Sequence, residues 1–144
     1  MLSQKARYAL HALIVLAEHG GREPMMIADI ADEARVPRKF LEQILLGLKR
    51  RGIVQSQRGR AGGYRLGRPA KEISFADIIR ETDGPLALSP CVSATAYHKC
   101  PDCEDEATCP IRKVLLAARD ATADILESRS LAQAVAGAKR ARAV

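Results

Sequence analysis

Aromatic side chains are scarce in this chain of 144 residues. Tryptophan is absent, and the aromatic residues together make up only 3% of the sequence. Hydrophobic residues of all kinds nevertheless reach 47%, so a core has to be built mainly from Leu, Ile, Val and Ala. Segments rich in Ala and Leu, with few β-branched runs, favour helices. The composition therefore predicts a mainly α-helical fold, of a size that suits one domain or one small domain with an appendage.

Long apolar runs are also missing, and no stretch of the sequence is long enough to span a membrane. The best candidate for an export signal, ALHALIVLA at residues 9–17, contains His11 and is followed at once by EHGGRE, without a convincing small-residue cleavage site. Its apolar residues recur at helical spacing instead. We therefore expect a cytoplasmic protein that begins with a core helix. The buried face of that helix would comprise Leu2, Ala6, Leu10, Leu13, Ile14 and Ala17.

Acidic residues are nearly absent from one part of the chain. Between Arg35 and Lys71 the sequence has eleven Lys or Arg residues and a single acid, Glu42. The whole chain carries a formal net charge of +6, which indicates a polyanionic partner. From Glu72 to Arg129 the acids outnumber the bases. This asymmetry in charge predicts that the first half of the chain binds a polyanion while the second half has another role.

Two short helices joined by a tight turn are predicted around this basic stretch. The first covers about residues 27–34 and the second about residues 37–51, with Pro37 in its first turn and Gly52 after its end. Such a pair is typical of a helix-turn-helix, whose second helix lies in the major groove of DNA. The apolar stripe of the second helix would comprise Phe40, Leu41, Ile44, Leu45 and Leu48.

Polar side chains near the start of the second helix are placed to reach base edges. Arg can bond the two acceptors of guanine, Gln suits adenine, and Glu accepts from the amino group of cytosine. Glu42 could equally be an ordinary surface residue. The candidates for base contact are Arg38, Lys39, Glu42 and Gln43.

The stretch IVQSQRGRAGGYRL predicts a β-hairpin directly after the helix-turn-helix. Its strands would cover residues 53–56 and 64–66, and its tip would hold Arg58, Gly59, Arg60, Gly62 and Gly63. Arginines on such a tip can bond phosphates or enter a minor groove. Arginines in a loop can also serve solubility alone, but their place after a helix-turn-helix favours DNA contact. The combination predicts a winged helix.

The second half of the chain predicts two further helices. ISFADIIRETDG has Ser74 as N-cap, Asp77 three residues later and Gly84 as terminator. A longer helix would start near Cys109 or Pro110 and end near Ser128. Because an amphipathic helix must bury its apolar face, a second copy of it is a natural partner, and packing within the monomer is the alternative. Its apolar stripe is Ile111, Val114, Leu115, Ala118, Thr122, Ile125 and Leu126.

Cysteine is absent outside residues 91–109, where all four thiols occur. Their order is Cys91-x8-Cys100-x2-Cys103-x5-Cys109. In a reducing cytoplasm, clustered cysteines bind metal or sense redox state more often than they cross-link a fold. Thiolate sulfur suits both zinc and iron–sulfur clusters, and the spacing alone does not choose between them. Reversible disulfide formation and inert thiols are the other readings.

An enzyme is not predicted. The Cys100-Pro-Asp-Cys103 motif could serve a thiol oxidoreductase, but it does not lie in a strand-to-helix βαβ pattern, and the basic half would be unexplained. No Ser/His/Asp arrangement, phosphate-binding glycine loop or pair of carboxylates stands out. We expect no small-molecule substrate.

Several motifs resemble one bacterial family. KARYAL near the N-terminus, FLEQILLGLKRRGIV, RGRAGGYRL and a cysteine loop followed by a helix are similar to the IscR-like winged-helix regulators, which include the nitric-oxide sensor NsrR and the iron sensor RirA. The resemblance covers nearly the whole chain except the last dozen or so residues. It implies a homodimeric transcription factor that binds imperfect palindromes through its third helix and wing. Many members hold an iron–sulfur cluster on three cysteines that precede a long dimerisation helix.

The resemblance also assigns roles to residues of this chain. Glu42 and Arg58 match family positions that read bases, while Gln43, Arg60 and Tyr64 lie in matching motif positions. In the loop, Cys91 matches the first cluster ligand, and Cys103 and Cys109 match the last two.

The fourth ligand departs from the family pattern. Some members have a histidine three residues after the last cysteine, where this chain has Arg112, and others use an acidic residue near the N-terminus, where this chain reads ARYAL. Cys100 is an additional cysteine that could complete a four-cysteine site, and His98 is a weaker candidate. The expected cofactor is an iron–sulfur cluster, 2Fe–2S before 4Fe–4S, with zinc as the alternative.

The sequence thus predicts a mainly α winged helix-turn-helix with a small β-hairpin and a long dimerisation helix. We expect a DNA-binding domain at residues 1–84, a sensor loop at 85–109, the dimerisation helix at 110–130 and a partly flexible tail at 131–144. The expected partners are double-stranded DNA and a second copy of the chain, without a membrane. The expected function is transcriptional regulation controlled by the cysteine loop.

Overall fold

Six helices and one β-hairpin build the protein, which a computed structural model describes over residues 1–144. The predicted fold class, a mainly α winged helix-turn-helix with a small hairpin, is confirmed. None of the helices is both long and apolar enough to cross a lipid bilayer. The elements are α1 Gln4–Glu18, α2 Ile27–Ala34, α3 Arg38–Arg50, β1 Val54–Gln57, β2 Gly63–Leu66, α4 Phe75–Asp83, α5 Pro110–Ser128 and α6 Leu131–Arg142, with two 3-10 turns at Ala70–Glu72 and Pro90–Val92.

The first helix is the centre of the core, since α2, α3, α4 and α6 all pack against it. Three alanines of α1 are fully buried, and such small side chains let several helices approach one axis. The predicted buried face is therefore partly wrong: Leu2 is 43% exposed, and Leu10, Ile14 and Ala17 are only partly buried. The buried residues of α1 are Ala6, Ala9, Ala12, Leu13, Val15 and Leu16.

The helix-turn-helix forms where the sequence predicts it. Arg35 ends α2 in the left-handed conformation, with φ of 55°, and Pro37 is the N-cap of α3 rather than a residue of its first turn. The buried face of α3 comprises Leu41, Ile44, Leu45 and Leu48 as predicted. Phe40 was wrongly included, because it lies on the flank of α3 that faces α1 and is 61% exposed. Its ring centroid is 6.3 Å from that of Tyr8.

The wing is an antiparallel pair whose register joins Val54 to Leu66 and Gln57 to Gly63. Tyr64 also exchanges two backbone hydrogen bonds with Met25, each 2.8 Å long, so the α1–α2 connection lies along the outer edge of β2. Gly63 makes this approach possible: its φ is +140°, and a Cβ atom there would lie 2.1 Å from the Met25 oxygen. The wing is thereby attached to the body along the outer edge of β2.

Helix α4 has the capping box that the sequence predicts, in which Ser74 and Asp77 exchange hydrogen bonds of 3.1 Å, and Gly84 follows its last turn. Helix α6 was not predicted from the sequence. In place of the partly flexible tail expected at residues 131–144, a second capping box on Ser130 and Gln133 starts a helix. Leu131 of that helix is fully buried in the main core, so the chain returns to the winged helix after α5.

Candidate nucleic-acid interface and cysteine cleft

The start of α3 presents a polar, solvent-exposed surface. Arg38, Lys39, Glu42 and Gln43 are all exposed, on the side of α3 away from its buried stripe. Arg38 Nε lies 3.6 Å from Glu42 Oε1, and both side chains are more than half exposed. Because an exposed ion pair of this kind contributes little free energy, either partner can exchange it for a contact with a base.

The tip of the wing carries Arg58 and Arg60, which are exposed and form no ion pair. The turn at residues 59–62, which contains Arg60, is closed by a hydrogen bond of 3.0 Å from the Gly62 N–H to the Gly59 oxygen. Tyr64 differs from the other predicted DNA contacts, because it is half-buried and packs against the core. The wing thus offers two unneutralised guanidinium groups, as contact with phosphates requires.

All four cysteines line one cleft of about 400 Å³ at the start of α5, and all four are free thiols. Ser89 joins two of them, since its hydroxyl lies 3.4 Å from Cys91 Sγ and 3.9 Å from Cys100 Sγ. Cys91 is buried and the other three are half-buried. The fold therefore gathers thiols that are up to 18 residues apart in the chain into a single concave surface.

The surroundings of two of these thiols favour their protonated form. Burial raises the pKa of Cys103 above its usual value. At Cys100 a hydrogen bond from Ser89 lowers the pKa, but hydrogen bonding with Cys91 and burial together outweigh it, and the net shift is upward. Binding of a thiolate-ligated cofactor at these residues would therefore release protons.

The donor set of the cleft suits a group held by thiolates. Four sulfur atoms, the Ser89 hydroxyl and the Arg112 cation surround the same space, and a thiolate-held cluster needs such donors and neighbours. In this arrangement no three Cys, His, Asp or Glu side chains lie close enough together to hold a metal ion. Ligation would require the loop to close further, and His98 does not line the cleft.

Helix α5 contains no buried residue and packs mainly against α4 and the turn at Pro90–Val92. Its predicted apolar stripe is open to solvent, with Ile111 and Val114 each 69% exposed and Ile125 60% exposed. Ile111 and Leu115 also line the cysteine cleft. The exposed face of α5 therefore continues from the wall of the cleft along the helix.

The hydrogen bonds that join the cleft to α5 were not predicted from the sequence. Cys109 is the N-cap of α5, and its Sγ accepts a hydrogen bond from the Arg112 N–H at 3.5 Å. Arg112 and Arg119 also donate to backbone carbonyls of the loop. Their separation of seven residues, which places two arginines on one face of a helix, was a signal in the sequence that could have indicated a common role.

The family model and the relatives that match this chain are all transcriptional regulators. A family model described as "Rrf2: Iron-dependent Transcriptional regulator" matches residues 2–137. An rrf2-like HTH-type transcriptional regulator of Rhodobacter capsulatus is 46% identical over 117 residues, which cover 79% of this chain and 78% of that protein. The HTH-type transcriptional regulator IscR of Vibrio atlanticus is 35% identical over 108 residues, or 75% of this chain but only 59% of that relative.

Solved structures with the same fold include two regulators. CymR of B. subtilis, described as its global cysteine regulator, superposes with a TM-score of 0.77 at 32% identity and covers 94% of this chain and 96% of its own. IscR of T. potens also reaches a TM-score of 0.77, at 27% identity, and covers 98% and 90% of the two chains. In both cases the likeness extends beyond the winged helix to the segments that follow it.

Proposed function

Because the chain belongs to the Rrf2 family of transcriptional regulators and is IscR-like within it, we propose that it controls transcription as a homodimer on a palindromic operator, through an iron–sulfur cluster at its cysteine loop. The observation that carries this proposal is the position of the four thiols. They converge on one cleft whose wall is the first turn of α5, the helix with an unpartnered apolar face. A change at the cleft therefore acts directly on the proposed dimer helix.

DNA is bound by α3 and the wing in this proposal. The exposed start of α3 enters the major groove, where Arg38, Lys39, Glu42 and Gln43 meet base edges and phosphates. Arg58 and Arg60 lie at the wing tip without carboxylate partners, which suits contact with phosphates or the minor groove. Tyr64 supports the wing from behind, through its backbone bonds to Met25, and this role is more in keeping with its half-buried ring than base contact.

The homodimer is formed through α5. Its exposed stripe of Ile111, Val114 and Ile125 would be covered by the same stripe of a second copy, as a two-fold interface requires. Two copies related in this way present two α3 helices, and each reads one half of a palindrome. The C-terminal end of α5 is fixed to the winged helix by Arg80 Nη2, which lies 2.5 Å from Glu127 Oε1.

The proposed ligands of the cluster are Cys91, Cys103 and Cys109, with Cys100 as the fourth. When bound, an iron–sulfur cluster supplies one-electron redox chemistry and sensitivity to oxidants. Arg112 is not a ligand in this proposal, because its guanidinium bonds the Cys91 carbonyl and Glu106. Zinc on the same four thiolates is the metal alternative. The protein would act in the cytoplasm, where such thiols are reduced.

A cluster-free thiol switch is the second candidate. It is supported by the shared contact of Ser89 with Cys91 and Cys100, which brings two free thiols to one hydroxyl. It is also supported by the likeness to Staphylococcus aureus CymR in an oxidized form, which reaches a TM-score of 0.69 at 32% identity and covers 94% of this chain and 95% of its own. Disulfide formation at the cleft would then replace the cluster as the signal.

Purification without oxygen from iron-replete cells distinguishes these candidates. The measurements are the visible absorption spectrum, the iron and acid-labile sulfide content, and the zinc content of the same sample. Brown protein with iron and sulfide supports the cluster. Colourless protein with bound zinc supports the zinc site, and colourless metal-free protein, prepared in the same way, moves the thiol switch to first place. None of these results alters the DNA-binding part of the proposal.

A further inference from the structure

The loop between α4 and α5 has a single buried segment. Between Ile79 and Ser130 the only buried residues are Cys91, Val92 and Ser93. They form or directly follow the 3-10 turn Pro90–Val92, called the Cys91 turn below. Cys91 and Val92 are 5% and 1% exposed, so the polar atoms of their backbone need partners within the protein.

Two arginines of α5 supply those partners. Arg112 Nε donates to the Cys91 oxygen at 3.3 Å, and Arg119 Nη1 donates to the Val92 oxygen at 2.8 Å. Consecutive carbonyls of one turn are thus held by arginines two helical turns apart. Hydrogen bonds from a charged donor are stronger than neutral ones. The Cys91 turn is therefore attached to α5 at two points.

Carboxylates hold both arginines in place. Arg112 Nε lies 3.2 Å from Glu106 Oε2, and these side chains are 28% and 22% exposed. Tyr97 donates a hydrogen bond to the same carboxylate, and this bond raises the pKa of Tyr97. Arg119 bonds Asp120 at 2.5–2.9 Å. The guanidinium groups are thus oriented before any cofactor binds, as positioning residues must be.

We infer that Arg112 and Arg119 are positioning residues that make the Cys91 turn and α5 move as one body, so that a change at the cysteine cleft displaces α5 and through it the two DNA-reading units. This inference deepens the proposed function and rests on it. The physical reason is that α5 buries no residue of its own, so its position depends on these two bonds together with its packing on α4 and the Arg80–Glu127 ion pair. Without the two arginine bonds, the Cys91 turn could shift while α5 stayed in place.

Arg119 is the better residue to vary, because it lies outside the cleft while Arg112 lines it. Arg119→Gln removes the guanidinium. Arg119→Lys keeps the positive charge but loses the planar set of N–H donors. Lys113→Gln is a matched control, since it removes one charge from an exposed position of α5 whose side chain makes no ion pair. Arg112→Gln is the companion variant for the first carbonyl.

The first measurement is the rate at which N-ethylmaleimide labels each thiol in the reduced, metal-free protein, mapped by mass spectrometry. We expect Cys91 to react roughly tenfold faster in Arg119→Gln, the effect of losing one charge-assisted hydrogen bond. Cys103 should react at the same rate, and Lys113→Gln should match the unaltered protein. Unchanged Cys91 labelling in both arginine variants, with folding intact, would overturn the attachment.

The second measurement is operator affinity with the cleft in two states, cofactor-loaded and stripped. We expect the ratio of the two affinities to fall toward one in Arg119→Gln and to be partly restored in Arg119→Lys, while the stripped protein binds DNA as before. A purely structural role would lower both affinities and keep their ratio. Lower affinities with an unchanged ratio would overturn the proposed coupling between the Cys91 turn and DNA binding. An unchanged ratio in a variant whose Cys91 is labelled faster would overturn it as well.

The outcome for the unaltered protein separates this inference from the proposed function. If loaded and stripped protein bind the operator equally well, cluster control fails, and coupling to DNA fails with it. The labelling experiment then still decides whether the arginines hold the Cys91 turn. If the unaltered protein shows a difference and the variants keep it, the proposed function stands and the inference fails alone.

Discussion

Cys109 caps α5 and also lines the cysteine cleft. Its Sγ accepts a hydrogen bond from the Arg112 N–H at 3.5 Å, and the same residue forms part of the cleft wall. Serine can keep the N-cap and remove the thiolate, whereas alanine removes both. The two roles of this residue can therefore be measured separately.

For Cys109→Ser we expect colourless protein after anaerobic purification and an unfolding free energy within about 0.5 kcal/mol of the unaltered apoprotein. For Cys109→Ala we expect an additional loss of about 1 kcal/mol from the missing cap. Visible absorption and urea denaturation of the two apoproteins check these results. A fully coloured Cys109→Ser protein would remove Cys109 from the proposed ligands.

Arg58 at the wing tip should contribute to operator affinity and selectivity. Arg58→Ala is expected to weaken operator binding by about 1–3 kcal/mol, because a bidentate contact to a base would be lost, and to relax the preference at one base pair. Fluorescence anisotropy with the operator and its single-base variants measures both effects. Arg140→Ala is the control, as it removes an exposed arginine without an ion pair at the far end of α6. Equal losses in the two variants would indicate general charge attraction only.

Gly63 should not tolerate a side chain. Its φ is +140° and a Cβ atom would meet the Met25 oxygen at 2.1 Å, so Gly63→Ala must break the Met25–Tyr64 bridge. We expect a loss of about 2–4 kcal/mol in unfolding free energy. Gly137→Ala, in α6 and with open space around the new methyl group, should instead stabilise by about 0.5–1 kcal/mol. Urea unfolding of both variants tests the pair, and similar effects would contradict this description of the wing.

The exposed face of α5 predicts a variant that separates the dimer. Val114→Asp places a charge in the apolar stripe of α5, and we expect monomers in analytical ultracentrifugation at concentrations where we expect the unaltered protein to form dimers. Lys113→Glu changes the charge on the opposite, polar side of α5 and should leave the dimer intact. Circular dichroism confirms folding in each case. A dimeric Val114→Asp protein would move the interface away from α5.

Substitution of Leu131 tests whether the packing of α6 contributes to the stability of the core. Leu131→Ala removes a fully buried side chain and is expected to cost about 2–4 kcal/mol of unfolding free energy. Arg140→Ala, on the solvent side of the same helix, should change it by less than about 0.5 kcal/mol. Thermal or urea unfolding provides the measurement. If both variants were neutral, α6 would be dispensable for the fold.

The helix-turn-helix could be predicted because its signals are local. Leu41, Ile44, Leu45 and Leu48 repeat at helical spacing within α3, and Gly52 follows the end of α3 with φ of +72°, as a glycine after a helix commonly does. The capping box at Ser74 and Asp77 is equally local. Such features depend on residues only three or four positions apart, so one sequence is sufficient to identify them.

The wrong predictions concern residues whose burial depends on contacts with parts of the chain that are distant in sequence. Ala9 and Ala12 are buried because four helices pack on α1, and no local pattern shows how close those helices come. Phe40 lies at helical spacing with the apolar stripe but faces the flank beside Tyr8. The tail at residues 131–144 was expected to be partly flexible, yet Leu131 and Val135 in its first part are buried.

In the candidate site, too, some features could be predicted from the sequence and others depend on contacts between distant residues. The grouping of cysteines and the exposure of Arg58 follow from composition and order along the chain. The hydrogen bonds from Arg112 and Arg119 depend on how the loop folds back over α5, which the spacing of cysteines does not determine.

The place of Leu131 in the main core has a consequence for synthesis of the protein. The winged helix is encoded by the first part of the chain, but its core is complete only when residue 131 joins it, and α1 can pack against α6 only then. During translation this contact can therefore form only after the cysteine loop and α5 have been synthesised. A nascent or truncated chain that ends after the wing would lack this closing contact. The last part of the core of the winged helix is therefore synthesised only after the proposed sensor.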